Sequence, residues 1–112
     1  ARLHYSQRDF RAAIEDATRA IKLRPDDIVG YDLRADAYMA VGDTGRALLD
    51  LTTAIKRQPR NSALYLKRGE IHIIRGERQS AMYDLQHVLD FSRDPQLREA
   101  ARDDLEALES GG

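Results

Sequence analysis

Residues 28–61 read IVGYDLRADAYMAVGDTGRALLDLTTAIKRQPRN, and residues 62–95, SALYLKRGEIHIIRGERQSAMYDLQHVLDFSRDP, follow the same plan at a step of 34 positions. Tyr31 returns as Tyr65, Arg34 as Arg68, Gly42 as Gly76 and Leu51 as Leu85. The step extends backwards too, from Ala54, Ile55 and Pro59 to Ala20, Ile21 and Pro25, and two columns run through all three copies: Ala13, Ala47, Ala81 and Asp16, Asp50, Asp84. A fixed period of this length marks a stack of equivalent supersecondary units rather than one irregular domain. The chain divides into a truncated unit over 1–27, full units over 28–61 and 62–95, and a last segment over 96–112.

Within a unit the apolar residues recur at helical spacing, with a break near the middle. Tyr31, Ala35 and Tyr38 mark one face of a first helix, Val41-Gly42-Asp43 interrupts it, and Ala47, Leu51, Ala54 and Ile55 mark a second. Pro59 ends the pair, because proline cannot continue a helix interior. Asp26 and Asp27 after Pro25, Asn61 and Ser62 after Pro59, and Asp43 stand where side-chain oxygens can accept from free N–H groups at helix starts. Asp94-Pro95 predicts one more helix, striped by Leu97, Ala101, Leu105 and Leu108 and ending before Gly111.

Composition supports this reading and excludes others. The 112 residues carry 18 Lys and Arg against 19 Asp and Glu, a net charge of -1, so no phosphate-seeking field exists and no nucleic-acid partner is expected. No apolar run approaches the roughly 20 residues of a membrane helix. With no cysteine, neither disulfides nor thiolate metal sites contribute. Seven Gly and three Pro are too few to punctuate a small all-β domain. The first residues, Ala1-Arg2-Leu3-His4-Tyr5, lack the apolar core of a secretory leader, and a cytoplasmic location is expected.

Catalytic constellations do not emerge. His4, His72 and His87 lack metal-ligand spacing, and the glycines are too scattered for a phosphate loop. No nucleophile sits in a strand-turn context, and Asp103-Asp104 reads as a solvated face. The expectation is a non-enzyme without metal or cofactor.

Taken together, the residues resemble the tetratricopeptide repeat family, whose unit is a 34-residue helix-turn-helix. The resemblance rests on Tyr31, Ala35, Tyr38, Gly42, Ala47, Leu51, Ala54 and Pro59 in the second unit. In the third it rests on Tyr65, Gly69, His72, Gly76, Ala81, Leu85 and Val88, and in the first on Ala1, His4, Phe10, Ala13, Ala17, Ala20 and Pro25. Arg93 stands where a terminal proline is usual, Thr44 and Arg78 replace an aromatic, and Arg34 and Arg68 replace a common leucine. The resemblance implies an all-α fold, a short right-handed solenoid of stacked helix-turn-helix pairs with a C-terminal capping helix.

It also implies a protein-interaction module, a scaffold or adaptor receiving a partner's peptide or helix in a concave groove lined by the first helices. Those places fall on Arg2, Tyr5 and Ser6; on Asp32, Asp36, Met39 and Ala40; and on Leu66, Glu70, Ile73 and Ile74. Their mix of acids and aliphatics suits a partner with basic residues beside an aliphatic anchor. A carboxylate clamp for chaperone tails is not matched: Leu33, Ala63, Asp32 and Asp36 replace its residues, leaving Arg2 and Lys67. The alternative role is self-association through exposed repeat faces, around Phe10, Ile14 and Ala17, or a structural segment of a longer array. Ala13, Ala47 and Ala81 are expected at the closest helix contacts. Arg34 and Arg68, costly at apolar places unless paired, are expected to bridge to Asp16, Asp50 or Asp84.

Overall fold

The computed structural model describes residues 7–111, so Ala1, Arg2, His4, Tyr5 and Ser6 lie outside the described residues. Six helices and no strand occur among them: α1 (Gln7–Leu23), α2 (Val29–Ala40), α3 (Thr44–Arg57), α4 (Ser62–Ile74), α5 (Arg78–Phe91) and α6 (Pro95–Ser110). They group into two compact units, Ala1–Arg57 and Gln58–Gly112. In the first, α2 packs against both α1 and α3; in the second, α5 packs against α4 and α6, and α6 also reaches α4.

The short connections follow from local chemistry. Both helix-turn-helix turns close on a glycine in the left-handed region, Gly42 at φ 84° and Gly76 at φ 75°, where a side chain is disfavoured. After α2, Gly42 N–H donates to Met39 C=O at 3.1 Å and Asp43 N–H to Tyr38 C=O at 2.8 Å; Gly76 and Glu77 repeat this onto Ile73 and His72 at 3.0 and 2.8 Å. This paired pattern satisfies the last carbonyls and stops the helix sharply. Asp43 then accepts from Arg46 N–H at 3.1 Å, Asp27 from Val29 N–H at 3.0 Å and Asp94 from Gln96 N–H at 2.9 Å. Asn61, expected to cap α4, instead donates its amide to Gln58 at 3.0 Å, and Ser62 is buried as the first residue of that helix. Pro95 lies inside α6, one place ahead of the division drawn at 96.

The apolar stripes form the cores. In α3, Ala47 and Ala54 are fully buried and Leu51 nearly so; in α5 the same holds for Ala81, Leu85 and Val88. Each buried leucine contributes about 2 kcal/mol of transfer free energy. Close approach is visible at the glycines too. A Cβ on Gly30 would stand 2.8 Å from Ile21 Cγ1 of α1, and one on Gly69 would stand 3.2 Å from Leu85 of α5.

Ala13 departs from the expected close contact and is exposed. Ala47 sits on a helix packed against the one before it, α2, whereas α1 is the first helix among the described residues. Ala17, one turn further along α1, is buried. Two arginines work at the ends of elements. Arg98 of α6 donates to the carbonyls of Leu89 and, at 3.2 Å, Ser92, satisfying the C-terminus of α5 and tying α6 to it. Arg57, at the end of α3, pairs with Asp26 at 3.2 Å in the same unit.

Candidate functional site

Charged residues that repeat with the period take up interior positions. Arg34 of α2 donates from Nε and Nη2 to the two carboxylate oxygens of Asp50 in α3, at 2.8 and 2.7 Å. Arg68 of α4 makes the same fork to Asp84 of α5, at 2.8 Å for both bonds. Asp50 is 4% exposed and Asp84 1%. Two parallel charge-assisted bonds fix the carboxylate plane as well as its distance, which lets an acid sit inside the helix pair. The bond to its aspartate holds each guanidinium above its ordinary pKa, against the opposing effect of burial. Aromatic faces complete the cradle, with Arg34 5.9 Å from the ring centres of Tyr31 and Tyr38 and Arg68 5.5 Å from Tyr65.

Asp16 does not join this arrangement. Both arginines lie sixteen positions before their aspartates. Asp16 is exposed and pairs with Arg19 on its own helix. Arg34 nonetheless reaches α1, donating from Nη1 to Thr18 Oγ1 at 3.2 Å. His72, on the aromatic face, is half-buried, with Nδ1 2.8 Å from Glu77 and Nε2 3.8 Å from Asp84. The bonds from His72 and Arg75 hold the Glu77 carboxyl below its usual range.

The expected binding residues lie on two helix faces, one in each unit. On α2, Asp32, Asp36, Met39 and Ala40 follow one another at helical spacing; Asp36 and Ala40 are exposed, Asp32 and Met39 half-buried. On α4, Leu66 and Ile73 are half-buried while Glu70 and Ile74 are exposed, Ile74 at 65%. Arg2, Tyr5 and Ser6 lie outside the described residues.

The α4 face is not a plain helix surface, because α6 packs on it. The Glu70 carboxyl lies beside Asp104 of α6, and desolvation together with that neighbour raises its pKa to about 7. Asp104 Oδ2 is itself buried without a hydrogen bond. Asp104 therefore does not lie on the solvated face read from the sequence, although Asp103 is exposed. Glu70 and Asp104 stand 34 positions apart, one period, as do Asp36 and Glu70, so the spacing carried a signal for this pair that the columns drawn above did not include.

An aromatic stack in the second unit also escaped the sequence reading. His87 of α5 lies on Tyr65 of α4 with ring centres 3.6 Å apart and planes 9° from parallel, and Phe91 stands 4.6 Å away, tilted by 43°. Burial pushes the His87 pKa down, so the ring is neutral near pH 7. The four-residue step from His87 to Phe91 on one helix face was the available signal. Among the described residues no cluster of three or more acids and histidines could hold a metal, and no helix is long and apolar enough to cross a membrane.

Comparisons with known proteins agree with this architecture. A family model of the tetratricopeptide repeat matches residues 33–97, and a second matches residues 1–27. Among solved structures, the first such domain of Spaghetti (RPAP3), bound to an HSP90 peptide, superposes with a TM-score of 0.81 at 21% identity, covering 94% of this chain and 81% of that one. The type III secretion chaperone SycD of Yersinia enterocolitica, in complex with a peptide of the translocator YopD, gives 0.83 at 15% identity, covering 91% and 81%. The repeat domain of Arabidopsis OM64 gives 0.77 at 25%, covering 88% and 82%. No curated protein matches the chain in sequence.

Proposed function

From the premise that the chain belongs to the tetratricopeptide repeat family, we propose that it is a protein-interaction module that binds a basic, aliphatic segment of a partner on the faces of its first helices. The observation carrying this reading is the face of α2, where Asp32 and Asp36 stand one turn apart with Met39 one turn beyond. Carboxylates spaced by a turn, flanked by a flexible thioether, accept lysine or arginine beside a leucine or isoleucine. On α4, Leu66, Ile73 and Ile74 supply the aliphatic surface around Glu70. A cation brought to Glu70 favours its ionised form, so binding there releases a proton near neutral pH. Spaghetti binds the peptide SRMEEVD, ending in acids and a carboxylate. On the present chain Asp32, Asp36 and Glu70 would repel such a tail.

Fluorescence anisotropy with two labelled peptides tests the reading: SRMEEVD, and the same length with lysines replacing the acids and leucine replacing the valine. The basic peptide is expected to bind more tightly at low salt, and Asp36→Lys and Glu70→Lys to weaken it by about tenfold each. Tight binding of SRMEEVD that Lys67→Ala abolishes would overturn the proposal. A second reading, self-association, is favoured by the exposed Leu23, Val29, Leu33 and Leu49 of the first unit. Sedimentation over a concentration series separates the two, since a chain that stays monomeric leaves those residues without a symmetric role.

A further inference from the structure

The second unit carries an open cleft away from the residues assigned above. It has a volume of about 480 Å³ and runs between α5 and α6, walled by Met82, Tyr83, His87 and Phe91 on one side and by Leu105 and Glu109 on the other. Tyr83 is 66% exposed and Phe91 69%, two aromatics two turns apart on α5. His87, one turn from each, is held by its stack on Tyr65. Large exposed aromatics above a preformed floor are the features that concentrate binding energy at interfaces.

The helix order says what shape such an occupant has. In the first unit α2 lies between α1 and α3, packed on both. In the second, α6 packs on α5 and α4. Ala101 is fully buried while Leu105 and Leu108 of the same stripe are only half-buried. An amphipathic helix laid along α6, as α3 lies along α2, would cover Leu105, Tyr83 and Phe91 together.

The charge says what that helix carries. The carboxylates in the cleft wall are Asp90 and Glu109, and no lysine or arginine lines it. Over 94–109, α6 and its cap hold six acids against two arginines. Beyond Phe91 the sign reverses, where Arg60 and Pro59 border a neighbouring recess that shares His87 and Phe91. Asp90 stands at the C-terminal end of α5 and Glu109 at that of α6, so a bound helix finds a carboxylate toward either end of the cleft.

We propose that the cleft between α5 and α6 docks a basic amphipathic helix of a partner protein, at a surface separate from the α2 and α4 faces. A suitable probe is a peptide with the sequence of residues 44–57, TGRALLDLTTAIKR, a helix of this type with three basic residues and one acid. Its control carries glutamate in place of each arginine and lysine. Both are titrated into isotopically labelled full-length chain and followed by NMR. The expected result is shifts centred on Tyr83, His87, Phe91 and Leu105 for the basic peptide alone, with affinity falling as salt rises. Tyr83→Ala, at an exposed position, should weaken it by about tenfold while leaving the melting temperature unchanged, and Phe91→Ala, which also loses the ring contact to His87, should weaken it by a similar factor. Glu109→Lys should weaken it and flatten the salt dependence. Equal binding of the control peptide, shifts confined to α2 or α4, or no binding at millimolar peptide would each overturn the proposal. A dimer of the chain that Phe91→Ala dissolves would assign the cleft to a second copy and overturn it as well.

Discussion

Asp84 is a group whose removal the structure makes costly. Its side chain is 2% exposed and accepts both bonds of the Arg68 fork, while the Arg68 side chain keeps 17% exposure. Asp84→Ala leaves a guanidinium in the helix pair without its carboxylate, a change that costs about 3 kcal/mol, near the low end for broken buried pairs because the arginine retains some solvent. Asp16→Ala, in the same sequence column, removes only an exposed contact to Arg19 and is expected to stay within about 0.5 kcal/mol of wild type. Urea unfolding of the two variants checks this, and equal midpoints would remove the distinction. The column itself was legible, because equivalent units repeat their equivalent residues. Which member is buried was not, since the columns alone left each arginine able to reach an aspartate of its own unit or of a neighbouring one.

At the scale of elements, α4 and α6 meet through a carboxyl pair, and its pH dependence is opposite to that of ordinary surface acids. The Glu70 pKa stands at about 7 in the folded chain, above its unfolded value, through desolvation and Asp104. The protonated form is therefore favoured by folding, and this contribution is complete below the unfolded pKa and lost as pH rises through about 7. His87 acts the other way: burial lowers its pKa, so stability is lost as pH falls and the unfolded ring takes up a proton. Glu77, also lowered, adds to that loss at more acidic pH. Wild type against Glu70→Gln isolates the first effect. The glutamine variant should melt higher than wild type at about pH 8, with the gap closing toward about pH 4; a gap independent of pH would show that the pair does not govern the contact. Element boundaries were readable because glycine and aspartate mark them chemically. The Glu70–Asp104 contact was missed, because six acids over 94–109 read by composition as a solvated face, although the two acids stand one period of 34 apart.

For the molecule as a whole, a net charge of -1 spread over 37 charged residues means little self-repulsion for salt to relieve. The forks of Arg34 with Asp50 and Arg68 with Asp84 lie inside helix pairs, where mobile ions screen little. Exposed pairs such as Arg46 with Asp43 and Arg57 with Asp26 are worth at most about 1 kcal/mol each. The melting temperature should therefore shift by no more than a few degrees between about 0.05 and 0.5 M sodium chloride, where the Debye length falls below about 10 Å. Binding should behave differently, because Asp36, Glu70, Asp90 and Glu109 reach solvent or line open surfaces. Over the same range the affinity for a basic probe should fall by at least about tenfold. Calorimetric melts and peptide titrations on one set of buffers measure both. A melting temperature that drops as steeply as the affinity would mean that exposed ion pairs carry the fold, and that the acids on these faces are structural rather than reserved for a partner.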